Sequence, residues 1–175
     1  MAQIVKCEGK NDIELVQLAL KNPDYFVCIM KNYEDKLIRF IRRISGANIQ
    51  DAEDVLQEVF IKVYKNLNSY DNNLKFSSCI YRITRIYVIS EFRKKKSRGE
   101  AFLVDEEWGT FVSELNIEKE LDKKINREVL LKVIDNIDIK YREVLILKFL
   151  EERDYKEISD ILKKPAGTGG TFINR

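Results

Sequence analysis

The chain has 175 residues, of which 45% are hydrophobic and 34% charged, enough for one ordinary domain or two small ones. It contains no histidine, which removes the commonest general base, most zinc-site chemistry and the histidine-based catalytic triads. No apolar run approaches the roughly 18 residues that a membrane span needs. Seven glycines and two prolines, among long stretches of 3.6-residue periodicity, predict an all-α protein.

The formal net charge of +2 conceals two patches of opposite sign. Residues 77–98 carry seven basic side chains and one acid, whereas residues 99–122 carry eight acids and one lysine. The basic segment can bind a polyanion, and carboxylates on a neighbouring helix can bind a protein partner.

The three cysteines, Cys7, Cys28 and Cys79, lie far apart and show no metal-ligand spacing. Their number is odd, and the N-terminus lacks the apolar core of a secretory signal. We therefore expect reduced thiols and a cytoplasmic location.

Two helices are predicted before residue 46. The first covers 11–21, with Asn11 or Asp12 near its N-cap. The second opens at Pro23 and is stopped by Ser45-Gly46, because proline favours a helix start and glycine a helix end.

The third predicted helix, residues 52–67, repeats apolar side chains at steps of three and four. One face therefore packs on a core while the other carries carboxylates, and we expect Asp51 to cap the helix. A polar loop follows over 68–76. A basic helix then starts at Ser77 or Ser78 and ends near residue 98.

The C-terminal half is predicted to begin with an acidic linker over 99–124. Helices follow over 126–137, 140–150 and 155–162, and Asp154-x-x-Glu157 has the spacing of a capping box. A turn and a last helix then give helix-turn-helix geometry, although any αα-corner has a similar pattern.

Five sequence blocks resemble bacterial sigma factors of the extracytoplasmic-function group, in that family's order and spacing. They are DAEDVLQEVF, FSSCIYRITR, EFRKKK, YREVLILKFL and YKEISDILKKPAGT, within residues 45–175. The resemblance implies two small helical domains, 1–98 and 125–175, joined by the flexible acidic linker. It also implies a factor that binds core RNA polymerase and directs promoter recognition and melting, without catalytic residues, metal, cofactor or small-molecule substrate.

By the same resemblance, the first domain binds the clamp helices of polymerase β′ and melts the promoter −10 element. The second domain docks on the β flap and reads the −35 element through its helix-turn-helix. An anti-sigma factor is a further candidate partner that the sequence does not identify.

The candidate polymerase contacts are the outward-facing side chains of the third helix. They are Asp51, Asp54, Gln57, Glu58 and Ile61. Carboxylates there can meet basic groups of a partner, although a merely solvated face has the same composition. A metal or acid–base site at Asp54 and Glu58 would lack a third ligand.

The candidate −10 contacts lie in the polar loop and on the basic helix. They are Tyr70, Asn72, Asn73, Lys75, Phe76, Arg82, Arg85, Arg93 and Lys94. A flipped base needs a polar pocket with stacking surfaces, and phosphates need cations, but a plain surface loop would have the same composition. The chain departs from the family pattern at Cys79, usually tryptophan, and at Ile86, commonly asparagine.

The candidate −35 contacts are Lys164, Thr168, Thr171 and Arg175. Where the family pattern continues with valine, lysine and a basic tail, this chain has Gly169-Gly170 and a helix that looks truncated. Glycines inside a helix cost about 1 kcal/mol each. We therefore expect a weakened −35 reader.

Two other functions fit parts of the pattern. One is a helix-turn-helix regulator that binds DNA without polymerase, and the other is a polymerase-binding decoy with a defective −35 reader. The carboxylate face of the third helix separates the first of these from a sigma factor, because a simple repressor does not need it.

Overall fold

The computed structural model describes residues 6–99 and 139–163. The linker, the predicted helix at 126–137 and the −35 candidates Lys164, Thr168, Thr171 and Arg175 lie outside these ranges. The described ranges contain the helices α1 (Asp12–Lys21), α2 (Phe26–Ser45), α3 (Ile49–Lys65), α4 (Phe76–Ser97), α5 (Ile139–Leu145) and α6 (Tyr155–Leu162). No strand occurs among these residues, so the all-α prediction is confirmed, and no described helix is both long and apolar enough to cross a membrane.

Helix α1 begins and α2 ends where their sequence signals stand, but α2 begins at Phe26, three residues after the predicted start at Pro23. The Asn11 side chain accepts a hydrogen bond from the Glu14 N–H at 2.9 Å, and the Glu14 carboxylate accepts one from the Asn11 N–H at 2.8 Å. This reciprocal pair is a capping box. A 3-10 turn at Pro23–Tyr25 leads into α2, which stops at Gly46 with a φ of 69°, a conformation that costs glycine little.

The starts of α3 and α4 differ from the predictions. Asn48, not Asp51, caps α3, since its side chain accepts from the Asp51 N–H at 2.8 Å. Asparagine and aspartate are equally good N-caps, so the pattern could not separate them. Helix α4 starts one residue earlier than predicted, at Phe76, whose ring is buried in the core, and the Cys79 N–H donates to the Lys75 carbonyl.

Helices α1, α3 and α4 pack around α2. The Phe40 ring lies 4.8 Å from that of Tyr81 on α4, and the Phe26 ring lies 6.3 Å from that of Phe60 on α3. The apolar face of α3 is buried through Ala52, Leu56, Val59, Phe60 and Val63, as its periodicity predicted. Burial of this face fixes the rotation of α3, so the opposite face points away from the core.

The prediction of three reduced thiols is wrong for two of them, because Cys7 and Cys28 form a disulfide. The bond joins the segment before α1 to a fully buried position on α2. Their 21-residue separation carries no pairing signal in the sequence, and only the packing of α1 on α2 brings them together. Cys79 is a thiol, and burial raises its pKa.

The second domain is described through α5, a π-helical turn at Ile146–Leu150, and α6. The predicted helix at 140–150 therefore changes from α-helical to π-helical geometry before it ends. In the turn between this helix and α6, the Arg153 N–H donates to the Leu147 carbonyl at 2.9 Å. Helix α6 packs along α4. Its buried side chains Ile158 and Ile161 belong to the same apolar cluster as the core of the first domain.

The predicted capping box at the start of α6 is confirmed. The Asp154 side chain accepts from the Glu157 N–H at 2.8 Å, and the Glu157 carboxylate accepts from the Asp154 N–H at 3.2 Å. The hydrogen bond from the Glu157 backbone is the main cause that lowers the pKa of Asp154, and Lys75 adds to it.

Replacing Asp154 with alanine should cost about 1 kcal/mol, the typical contribution of an N-cap. Because the folded pKa of Asp154 is lowered, its carboxylate stabilises the fold above the unfolded pKa, and this contribution is lost as pH falls through the folded value. Asp154→Asn retains an acceptor but does not titrate. As the pH is lowered through the acidic range, the melting temperature should therefore fall less steeply for Asp154→Asn than for the natural protein. Equal dependence of the melting temperature on pH in the two proteins would contradict the linkage.

Candidate functional site

The five candidate polymerase contacts lie together on the outward face of α3. Asp54, Gln57, Glu58 and Ile61 are exposed, and Asp51 is half-buried. Ile61 is 46% exposed, which is high for a branched apolar side chain. The face therefore offers carboxylates next to an apolar contact point, a combination suited to a protein partner with basic and apolar groups.

A groove of about 240 Å³ runs beside this face, between α2, α3 and α4. Its apolar lining includes Val55, Tyr87 and Val88, and the carboxylates of Asp51, Asp54, Glu58 and Glu91 line it as well. Burial raises the pKa of Tyr87, with Glu91 and Glu58 adding to the effect. Tyr87 and Glu91 were not among the predicted contacts, because the pattern of one helix does not reveal which side chains of another helix lie opposite it.

The polar loop before α4 holds two aromatic candidates with different environments. Phe76 is 3% exposed, and its ring lies 5.8 Å from that of Tyr33 and 5.3 Å from that of Tyr70. The prediction of Phe76 as a stacking surface for a base is therefore wrong in this structure, since its ring belongs to the core. Tyr70 is half-buried and donates its hydroxyl to the Leu74 carbonyl at 2.5 Å, and burial raises its pKa.

The amide candidates of the same loop are both exposed. The Asn73 side-chain NH₂ donates to Asp71 Oδ1 at 2.8 Å, and the Asn73 backbone N–H donates to the same oxygen at 2.9 Å. Asp71 thus orders the turn that presents Asn72 and Asn73.

The four candidate cations on α4 occupy two kinds of environment. Arg93 and Lys94 are exposed towards its C-terminal end, where the Lys94 ammonium lies 2.8 Å from Glu91. Arg82 and Arg85 are half-buried. The Arg85 guanidinium lies 2.7 Å from the Glu143 carboxylate of α5, so the second domain covers Arg85.

A buried cluster that sequence analysis missed joins the two domains. Arg43 of α2 donates to the Glu151 carboxylate at 2.5 Å, and the Tyr81 hydroxyl donates to the other Glu151 oxygen at 2.6 Å. Burial raises the pKa of Tyr81, and Glu151 raises it further. The partners are at least 70 residues apart in the chain, so no local pattern pointed to them.

The described residues contain no group of histidine, cysteine, aspartate and glutamate side chains that could hold a metal ion. An outward acidic helix beside a basic one is suited to a protein that contacts both a protein partner and DNA.

Comparisons with known proteins agree with this arrangement. Residues 29–98 match the family model for Sigma-70 region 2, and residues 127–175 match that for Sigma-70, region 4. The chain is 34% identical over 171 residues to the ECF RNA polymerase sigma factor SigW of Bacillus subtilis, covering 91% of this chain and 88% of the relative. It is 27% identical over 157 residues to the ECF RNA polymerase sigma-E factor of Escherichia coli K12, covering 86% and 81%.

Among solved structures, the fold is similar to that of CnrH in complex with the cytosolic domain of CnrY. The TM-score is 0.64 at 18% sequence identity, and the match covers 92% of this chain and 88% of CnrH. At this identity the likeness concerns the fold alone.

Fold and comparisons define a transcription initiation factor with two helical sigma domains. The chain belongs to the sigma-70 family, in its extracytoplasmic-function group, which confirms the resemblance found in the sequence. It acts with RNA polymerase in promoter-directed transcription initiation, and promoter DNA is its other partner. A regulator that acts without polymerase is not favoured.

Proposed function

We propose that α3 is the main contact with core polymerase and that it binds the clamp helices of β′ through Asp51, Asp54, Gln57, Glu58 and Ile61. The observation that carries this proposal is the exposed acidic face of α3 beside a groove to which α4 adds the carboxylate of Glu91. Basic side chains of a partner helix could pair with the acids while an apolar side chain enters the groove. Glu91 and Tyr87 of α4 extend the same surface.

Contact with the −10 element is assigned to the loop and to α4. Asn72 and Asn73 supply hydrogen bonds to an extruded base, and Tyr70 is the aromatic side chain at that site. Phosphates are neutralised by Arg82, Arg93 and Lys94, and by Lys75 and Arg85 once the second domain moves away. Phe76 supports the loop from the core.

The proposed roles of the domains use the predicted domain boundaries. Residues 1–98 contact polymerase and the −10 element, 99–124 connect the domains, and 125–175 dock on the β flap and read the −35 element through Lys164, Thr168, Thr171 and Arg175. The factor has no catalytic activity of its own and acts in the cytoplasm, where RNA polymerase is. An anti-sigma factor is proposed as its regulator.

Run-off transcription tests the function directly. Core polymerase should give specific products from a library of promoter fragments only when this chain is added, because the chain supplies promoter recognition. Core polymerase alone and core polymerase with another sigma factor are the controls. If the chain binds core polymerase but yields no product from any fragment, it is a decoy instead.

A further inference from the structure

The two sulfurs of the disulfide lie in different surroundings. Cys28 is fully buried on α2, among the apolar side chains of the core. Cys7 is half-buried in the segment before α1, between the exposed residues Lys6 and Glu8. Cys7 is therefore the end of the bond that a dissolved thiol or disulfide can reach, whereas the core shields Cys28 from such reagents.

Both redox states of this pair are compatible with the fold. A cysteine thiol packs like a small apolar side chain, so Cys28 can remain in the core without its bond. Leu15 and Val16 of α1 are buried in the same core. At the start of α1, Oδ2 of Asp12 accepts a hydrogen bond from the Tyr33 hydroxyl of α2 at 2.5 Å. Reduction should therefore release the segment before α1 without unfolding the domain.

Helix α1 contacts the part of the chain that leads into the polar loop before α4. Its neighbour there is the 3-10 turn Leu67–Ser69. The Tyr33 ring, whose hydroxyl binds α1, lies 5.8 Å from the Phe76 ring, which in turn lies 5.3 Å from that of Tyr70. A row of packed side chains thus joins the start of α1 to the aromatic side chain assigned to the −10 element.

A disulfide is unusual in a protein that acts where RNA polymerase does. The cytoplasm is kept reducing, and cytosolic disulfides are usually transient, with catalytic or redox-sensing roles. We propose that Cys7 and Cys28 are a reversible redox site, whose bond fixes α1 and thereby holds the loop before α4 in the conformation that captures a base. The oxidised chain is the more active initiation factor. The effect on transcription rests on the −10 role proposed for this loop.

The oxidation is a thiol–disulfide exchange with a low-molecular-weight disulfide such as oxidised glutathione. The Cys7 thiolate attacks one sulfur of the reagent, which forms a mixed disulfide and releases one glutathione thiolate. The Cys28 thiolate then attacks the Cys7 sulfur and releases the second glutathione thiolate. Each released thiolate takes up a proton that a protein thiol has given up, so two protein thiols become one disulfide while one reagent disulfide becomes two thiols. Reduction runs the same steps in reverse.

The equilibrium of the natural chain with glutathione is the first test. The chain is incubated in buffers of increasing ratio of oxidised to reduced glutathione, its thiols are trapped with N-ethylmaleimide, and mass spectrometry measures the oxidised fraction. The pair should pass from thiols to disulfide within the range of ratios found in the cytoplasm. A pair that stays oxidised across this range is a permanent cross-link, and a pair that stays reduced forms no bond in the cell. Either result would overturn the proposal.

Two variants assign the response to this pair. Cys7→Ser removes the accessible sulfur and leaves Cys28 in the core. The matched control is Cys79→Ser, which removes the third cysteine of the chain, a half-buried thiol on α4, and keeps the pair. Oxidised Cys79→Ser should melt about 10 °C above Cys7→Ser, because a bond across 21 residues restricts the unfolded chain. Equal melting temperatures would overturn the proposal, since the bond would then not fix α1.

Run-off transcription measures the functional effect. Holoenzyme with oxidised Cys79→Ser should give about fivefold more product than the same holoenzyme after reduction with dithiothreitol, at the low end of usual coupling between sites. Cys7→Ser should give the lower level with and without dithiothreitol, which controls for any action of the reductant on polymerase. Equal product from oxidised and reduced Cys79→Ser would overturn the proposal, and so would an equal response of Cys7→Ser.

Tyr70→Ala separates failure of this inference from failure of the −10 assignment. If Tyr70→Ala holoenzyme makes as much run-off product as the natural one, Tyr70 does not serve the −10 element and the assignment is wrong. If Tyr70→Ala lowers the product while the redox state of the natural chain changes nothing, the assignment holds and the redox inference is wrong.

Discussion

Reversing Asp54 and Glu58 to lysine is expected to weaken binding to core RNA polymerase by at least about tenfold, or about 1.4 kcal/mol. Both side chains are exposed on α3, and both line the groove beside it. If they meet basic groups of the partner, reversal replaces two attractions by two repulsions, and like charges facing each other across an interface cost several kcal/mol. Fluorescence anisotropy with a labelled chain measures the affinity.

The matched control for this reversal is Glu34→Lys with Asp35→Lys, which changes the net charge equally at exposed positions of α2. It should bind core polymerase like the natural chain, and both variants should retain their helical circular dichroism. Normal binding by the Asp54 and Glu58 variant would mean that the acidic face of α3 is merely solvated.

Scrambling the −10 element of a responsive promoter should abolish run-off transcription, whereas scrambling the −35 element should cost little. Helix α4 is a continuous 22-residue helix that buries Phe76, Ile80, Tyr81 and Val88 in the core. The segment assigned to −35 instead carries Gly169-Gly170, which together cost roughly 2 kcal/mol of helix propensity. Run-off assays on a paired set of templates measure the contrast.

The control for the promoter experiment is a template scrambled between the two elements at constant spacing, which should remain fully active. A steep loss on scrambling −35 would show that residues 164–175 read DNA despite their glycines. In that case, replacing Gly169 with valine and Gly170 with lysine should change transcription from the intact −35 template little. If the −35 element is read weakly, the same replacements should increase that transcription.

The parts of the fold that sequence analysis predicted correctly depend on local signals. The start of α1 at Asn11, the end of α2 at Gly46 and the capping box at Asp154 each depend on residues within four positions of one another. The rotation of α3 followed from its apolar period alone. Such features can be read from sequence because their energy comes from near neighbours.

The features that sequence analysis missed depend on which helices become neighbours. Cys7 meets Cys28 only after α1 packs on α2, and Glu151 meets Arg43 only after the second domain docks. The sequence places Phe76 in a polar loop, but its ring is buried in the core. The cysteines and Phe76 were each assigned one of several possible uses, and tertiary packing selected another.

The short length of α6 links the docked state to folding itself. A helix of eight residues is too short to persist alone in water, and α6 gains its stability from burying one face along α4. If α6 were separated from α4, its backbone amides would lose that support. Amide hydrogen exchange in α6 would therefore report how much of the time α6 is packed on α4.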